Sequence, residues 1–424
     1  MSLLGLTRDP LMAARRRACE PEHVLDTQTG NWSHAFARRA RNRGGAELNA
    51  ILAGSPPGVL SMMGGFPNPR TFPTDVLDEI LMRLLRDEPG AALQYTACEG
   101  IPSVREYLVD RQEHQQGRRP EPSELIVTSG GMEGITLACQ SMIDAGDTIV
   151  VEAPTYLGAL MAFAGVEADV EGIPMDADGL QVEVLEQRLA AGMRPKFLYV
   201  IPEYQNPTGR TLTLARRQAL VDLCRRNGVL VVEDVAYREL AHDGTTVASL
   251  WSLAPDVVVQ LGTFSKIFCP GVRLGWAVGP REVIAQMAAA KQNTDQCAGA
   301  LGQRLVEEYG RAGHFERQIP ATRALYASHW KATERALERH MPPGCGWSEP
   351  TGGFFTWLTL PEEIDTIEIR PAATAAGVAY VAGLPFYLGD QGRNELRMSF
   401  SNLAEADLEI AVERLAGVVR ASSP

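Results

Sequence analysis

Five short apolar runs punctuate the middle of the chain, at Leu125–Val127, Thr148–Val151, Phe197–Ile201, Val229–Val232 and Val257–Leu261. Each is rich in Val, Ile and Leu, is short, and gives out into a turn, which predicts a buried β-strand. Helical patterns separate several of them. The clearest spans Leu214–Arg226, with Leu220, Leu223 and Cys224 on one face, Arg225 and Arg226 in the last turn and Gly228 just beyond as the stop. This alternation predicts a mainly parallel sheet covered by helices on both faces, an α/β fold.

The flanks are less regular. Residues 1–30 mix Pro, Arg and Gly without a period and read as an arm, and Trp32–Leu52 fits two short amphipathic helices broken at Gly44 and Gly45. Leu60–Pro73 reads as a short strand entering a Gly and Pro turn, followed by helices over Asp75–Leu85 and Pro102–Gln112. After a strand candidate at Leu274–Val278, a helical stretch over Arg281–Tyr309 leads to strands at Gly352–Leu358, Val378–Val381 and Glu395–Phe400, and to a closing helix over Ala404–Val419. The expected division is an arm (1–30), the first part of a small domain with a site loop (31–74), a large ligand-binding domain (75–310) and a small α+β domain (311–424).

Composition narrows the partners. A formal net charge of -12 over 424 residues opposes broad attraction to nucleic acid or anionic membranes, so a small molecule is expected instead. Arg38, Arg39, Arg41 and Arg43 read as the solvated face of a helix, because the segment is too short and unpatterned for a DNA-binding module. The same argument weighs against a transcription regulator that uses an enzyme-like domain as a sensor. Seven scattered cysteines form no C-x-x-C pair and no zinc spacing, and no apolar stretch is long enough to cross a bilayer, so a cytoplasmic protein is expected.

Candidate chemistry sits where the five runs end, the edge at which open parallel sheets bind ligands. The first run ends in Ser129-Gly130-Gly131-Met132-Glu133, opening a helix whose free N–H groups suit a phosphate, although a glycine turn there is common. The second ends at Pro154-Thr155-Tyr156, whose ring can stack on a flat ligand or simply pack in the core. The third ends at Gln205-Asn206-Pro207-Thr208-Gly209, either a plain turn or an Asn amide aimed at a phenolate oxygen. The fourth ends at Glu233-Asp234-Val235-Ala236-Tyr237, which is either a helix cap with a packed ring or a carboxylate for a protonated ring nitrogen beside a phenol. The fifth ends in Thr263, Ser265 and Lys266, with Arg273 after them: two hydroxyls and a guanidinium for an oxyanion, and an amine for an aldehyde. Gly64 and Gly65 serve a turn or let the backbone approach a ligand. An aldehyde, a phosphate, a phenolic oxygen and a basic ring nitrogen together describe pyridoxal phosphate.

Met63-Gly64-Gly65-Phe66-Pro67, Gln94-Tyr95, Pro154-Thr155-Tyr156, Gln205–Gly209, Asp234–Tyr237, Ser265-Lys266, Pro270-Gly271-Val272-Arg273 and Leu396-Arg397 form an ordered series. Through it, about residues 30–420 resemble the class I/II aminotransferases of the pyridoxal phosphate fold type I superfamily, in the branch of 2-aminoadipate and kynurenine aminotransferases. The resemblance implies a large domain with a mainly parallel seven-stranded sheet plus a smaller α+β domain. It implies Lys266 as the lysine bonded to the cofactor, Asp234 as the partner of its ring nitrogen, Asn206 and Tyr237 as donors to its phenolate, and Tyr156 as its stacking ring. Thr263, Ser265, Arg273 and the amides of Gly131 and Met132 would form the phosphate cup. Gly65, Asn206 and Arg397 would face the substrate, with Arg397 on its α-carboxylate. Tyr95 would reach the phosphate of a neighbouring subunit, which implies a homodimer.

The expected reaction moves an amino group between an L-amino acid and a 2-oxo acid. Decarboxylation, elimination or carbon–carbon bond formation stay open, because the same electron sink serves them all. Two departures bear on this: Gly131-Met132 stands where relatives often carry Ser-Gln, and the short helix near Asn49 lacks an arginine where 2-aminoadipate enzymes place one for a distal carboxylate.

Overall fold

The computed structural model describes Trp32, residues 34–41 and residues 45–422; the arm expected over residues 1–30 lies outside them. Contacts divide the chain into one unit up to Arg41 and another from Asn42 onward. In the first, the predicted amphipathic helix is reduced to a 3-10 turn, Arg38–Arg41. Like charges crowd that turn while Trp32 and Phe36 stay exposed, so little apolar burial supports a longer helix. The second unit carries everything that follows.

Its strands are β1 (Leu60–Ser61), β2 (Leu125–Thr128), β3 (Thr148–Ala153), β4 (Asp169–Asp176), β5 (Gly179–Leu180), β6 (Phe197–Val200), β7 (Leu230–Asp234), β8 (Val258–Thr263), β9 (Gly275–Val278), β10 (Gly346–Trp347), β11 (Phe355–Thr359), β12 (Val378–Ala379), β13 (Val381–Ala382) and β14 (Glu395–Ser399). One eight-stranded sheet has the order β2-β9-β8-β7-β6-β3-β4-β5. β4, β3, β6, β7 and β8 are parallel. β9 is antiparallel to both β8 and β2, which turns β2 into the common direction. The C-terminal ends of β2, β3, β6, β7 and β8, the five runs of the sequence, therefore open on one edge.

The sheet exceeds seven strands because the two-residue β5 folds back on β4. β4 escaped the apolar pattern because only Ile173 in it is fully buried. The stretch Arg281–Tyr309 is two helices, Arg281–Gln292 and Ala300–Arg311. Asn293, Thr294 and Asp295 are poor helix formers, and Gln296 takes φ 67. A helix not anticipated, His314–His340, buries Phe315, Ile319, Thr322, Tyr326, Trp330, Thr333 and Leu337 at three- and four-residue spacing. The predicted strand Val378–Val381 splits at Tyr380: β12 pairs with β1, whereas β13 joins a four-stranded sheet of order β10-β11-β14-β13.

Alternation along the large sheet builds two cores. Val127, Val150, Leu198, Val231 and Val258 belong to one, while Ile126, Ile149, Val151, Phe197, Tyr199, Val232 and Val259 belong to the other. Each fully buried aliphatic side chain contributes about 1.5–3 kcal/mol, so the strand ends are held by a rigid platform. Among the described residues no helix is long and apolar enough to cross a membrane.

Candidate active site

A cavity of about 260 Å³ opens at that edge, and its lining contains Gly65, Gly131, Met132, Tyr156, Asn206, Asp234, Tyr237, Thr263, Ser265, Lys266, Arg273 and Arg397. Of the site residues read from the sequence, only Tyr95 lies elsewhere; the residue is 83% exposed.

Local sequence explains how the lysine gets there. In the turn after β8, Phe264, Ile267 and Phe268 are buried in the main core, and the Phe268 amide donates to the Phe264 carbonyl at 2.9 Å. Residues three and four apart share a face, so these anchors leave Ser265 and Lys266 on the cavity side. Lys266 is half-buried, and its Nζ donates to the Gly65 carbonyl at 2.8 Å. Burial, then the charge of Arg397, push this amine down to about 8, against the opposing pull of Asp234. Of the four lysines in the chain, Lys196, Lys266, Lys291 and Lys331, it alone lines the cavity.

The two adjacent carboxylates of Glu233–Tyr237 go to different places. Glu233 accepts from the amides of Leu250 (2.7 Å) and Trp251 (3.0 Å) at the start of the helix Leu250–Leu253. Asp234 lines the cavity instead, since successive residues of a strand face opposite ways. It accepts from the Tyr199 hydroxyl at 2.7 Å and the Ala236 amide at 3.2 Å. Burial raises its pKa, and those two hydrogen bonds oppose the rise. Desolvation raises Tyr237 as well, so its phenol keeps its proton at neutral pH.

Arg397, on β14, is a buried guanidinium that no carboxylate pairs with among the described residues. Nη1 donates to Asn206 Oδ1 at 2.7 Å and Nη2 to the Met63 carbonyl at 2.6 Å; buried Nε has no partner among the described residues. The group lies over the rings of Phe355 (4.2 Å to centroid) and Phe386 (5.1 Å). Burial pushes it down to about 10, which leaves it charged at neutral pH and in need of an anion.

At the other end of the cavity, the helix Gly131–Met142 begins without a side-chain cap. Its first amides are free for an anion. Gly130 has φ +97, a conformation that favours glycine, and a Cβ there would stand 2.7 Å from Arg273 Nη2, so a side chain would also push the guanidinium aside. Arg273 itself takes φ 55, an uncommon conformation for a non-glycine residue, and donates from Nη2 to the Ser129 carbonyl at 3.2 Å. The Thr263 and Ser265 hydroxyls stand 3.0 Å apart.

Several participants were not singled out from the sequence. Tyr199 hides inside the run Phe197–Ile201, yet β6–β7 pairing sets it opposite Val232, two residues from Asp234 and on the same face. Glu152, at the end of β3, accepts from the Ile201 amide (3.0 Å) and Gln205 Nε2 (3.2 Å), and burial pushes it up to about 8. Leu48, Ile51, Leu52, Phe66, Leu157 and Phe355 form apolar wall.

The family profile "Aminotransferase class I and II" matches residues 68–415. The chain is 34% identical to aromatic-amino-acid aminotransferase 1 of Thermococcus litoralis, over 93% of this chain and 96% of that protein. It is 34% identical to 2-aminoadipate transaminase of Thermus thermophilus, over 91% and 96%. The structure of Pyrococcus horikoshii kynurenine aminotransferase in complex with PMP superposes with a TM-score of 0.88 at 35% identity, covering 92% of this chain and 98% of that one. Matched over most of its length by the profile and by these relatives, the chain belongs to the class I and II aminotransferases, enzymes that transfer amino groups.

Proposed function

We propose that the cavity binds pyridoxal phosphate and moves an amino group between an apolar L-amino acid and a 2-oxo acid. The observation that carries this reading is the joint presence, in one cavity, of a half-buried amine held near pKa 8, a buried carboxylate and a buried guanidinium without a counter-ion. The cofactor fits these groups: its phosphate suits the uncapped helix start with Arg273, Thr263 and Ser265, and its aldehyde suits Lys266. Bound there, it supplies an electron sink that acidifies the substrate α-carbon.

The chain's residues do the rest. Asp234, raised by burial, would gain a close counter-charge from a cationic ring nitrogen, and the Tyr199 hydroxyl fixes its orientation. Tyr156 would stack on the ring, while Asn206 and Tyr237 would donate to its phenolate. Arg397 takes the substrate carboxylate in paired hydrogen bonds. Lys266 Nζ would accept the substrate α-proton and hold it for return.

The sign of the lysine shift gives a pH test. The neutral amine is the attacking form, and its fraction rises with pH up to the folded pKa of about 8. Capture of added pyridoxal phosphate by apoprotein should therefore quicken about tenfold per pH unit below that point and level off above it, measured by stopped-flow absorbance. A profile still rising steeply at pH 10 would mean an ordinary lysine.

Among the described residues the cavity's cations are Lys266, Arg273 and Arg397, all engaged above, so a distal substrate carboxylate would meet Leu48, Ile51, Leu52 and Phe66 unpaired. Aromatic and aliphatic donors should surpass glutamate and 2-aminoadipate in kcat/KM by at least about tenfold. Better turnover of the acidic donors would refute this specificity. The exposed Tyr95 ring supports a homodimer in which it serves the neighbouring site, checked by sedimentation and by weaker cofactor binding in Tyr95→Phe. The large sheet, within residues 125–278, and the four-stranded one, within 346–399, support domains at 75–310 and 311–424. A cytoplasmic location belongs to the same reading, supported by six free cysteines among the described residues.

The reaction itself is tested by mixing holoenzyme with phenylalanine in a single turnover. Pyridoxamine phosphate and the 2-oxo acid should appear in equal amounts; release of carbon dioxide or of an amine without oxo acid would favour a different reaction on the same cofactor.

A further inference from the structure

The phosphate cup has an unusual foundation. Gly131 and Met132 bring no side-chain donors, so beside the Thr263 and Ser265 hydroxyls the cup depends on backbone amides and on Arg273, which is exposed and must be held in place. Behind it lies a charged cluster with no part in the chemistry above. Lys291, near the end of the helix Arg281–Gln292, has no exposed surface, and its Nζ donates to both oxygens of Glu133 (2.8 and 2.7 Å) and of Asp295 (2.7 and 2.9 Å).

The two carboxylates in turn grip Ser129, the residue before Gly130. Glu133 Oε2 accepts from the Ser129 amide at 2.5 Å, and Asp295 Oδ2 accepts from the Ser129 hydroxyl at 2.6 Å. The remaining polar group of Ser129, its carbonyl, accepts from Arg273 Nη2. Ser129 is thus pinned at three points, and one of them is the guanidinium that faces the phosphate. Glu133 also stands in the first turn of the helix that opens the cup, so Lys291 ties that helix to the loop after Gln292.

We propose that Lys291, Glu133 and Asp295 are positioning residues for the cofactor's phosphate. Through Ser129 they hold Arg273 and the opening amides of the helix Gly131–Met142 in their binding geometry before the anion arrives. Ordering these groups in the free protein removes part of the cost of ordering them on binding. The inference rests on the assignment of this cup to the phosphate.

The test compares apoprotein affinity for pyridoxal phosphate with that for pyridoxal, which has the aldehyde and ring but no phosphate. Both are read from the absorbance of the lysine-bound form, and Arg273→Ala serves as the control on the cup itself. Lys291→Met and Asp295→Asn should each raise the Kd for pyridoxal phosphate roughly tenfold, the effect of removing a charge-assisted hydrogen-bond partner from the cluster. Both should leave the Kd for pyridoxal within about twofold, because pyridoxal does not use the cup. If Lys291→Met does not fold, Asp295→Asn decides alone, since it preserves shape. An unchanged Kd for pyridoxal phosphate, or parallel weakening of both ligands, would overturn the proposal and leave the cluster as plain scaffolding. A control in which Arg273→Ala weakens both ligands equally, or neither, would overturn the assignment of the cup and the inference with it.

Discussion

Lys266→Ala is expected to abolish the absorbance band that the protein develops with pyridoxal phosphate and to lower turnover by about three orders of magnitude or more. The size follows from two roles resting on one atom. In the proposed reaction Nζ is the amine that would meet the aldehyde and, once displaced, the base at the α-carbon, so no neighbour can supply both. The alternatives are excluded by position. Lys196 pairs with Asp147 at 3.5 Å, Lys291 is enclosed by Glu133 and Asp295, and Lys331 is exposed on the helix His314–His340. Fold and cofactor affinity report separately on the variant. Its far-ultraviolet circular dichroism should match the native protein, because the turn is anchored by Phe264, Ile267 and Phe268 rather than by the lysine.

Asp234→Ala should behave differently, keeping the absorbance band while losing turnover by about a thousandfold. The phosphate cup and Lys266 remain to hold the cofactor, but nothing then keeps its ring nitrogen cationic. Tyr199→Phe should cost far less, about tenfold, because it removes a hydrogen bond to the carboxylate and leaves the charge. Single-turnover kinetics with a saturating donor separates the two. A near-native rate for Asp234→Ala would remove this carboxylate from the chemistry, and equal losses for the two variants would mean that orientation matters more than charge.

What the sequence conveyed and what it concealed divide along a physical line. Strand ends were legible because each apolar run stops at a residue that cannot be core, and parallel topology carries those stops to one edge. Asp234, Lys266 and Asn206 belong to this class. Tyr199 does not: it sits inside a run as a core residue would, and only the β6–β7 register sets it beside Asp234. Glu152 lies one residue past the run that ends at Val151, and its role depends on the backbone of Ile201. The apolar wall from Leu48, Ile51 and Leu52 joins the cavity across more than two hundred residues of chain, a contact no local pattern encodes. The cluster around Lys291 depends on a helix break at Asn293–Gly299 that the period through Arg281–Tyr309 gave no reason to expect.

The central claim, that Lys266 is the covalent partner of the cofactor, is tested most directly by borohydride reduction of the holoprotein followed by peptide mapping with mass spectrometry. The phosphopyridoxyl group is expected on the peptide containing Lys266 and on no other, at one per chain. Its appearance on Lys196, Lys291 or Lys331, or a reduced protein without any labelled lysine, would contradict the account.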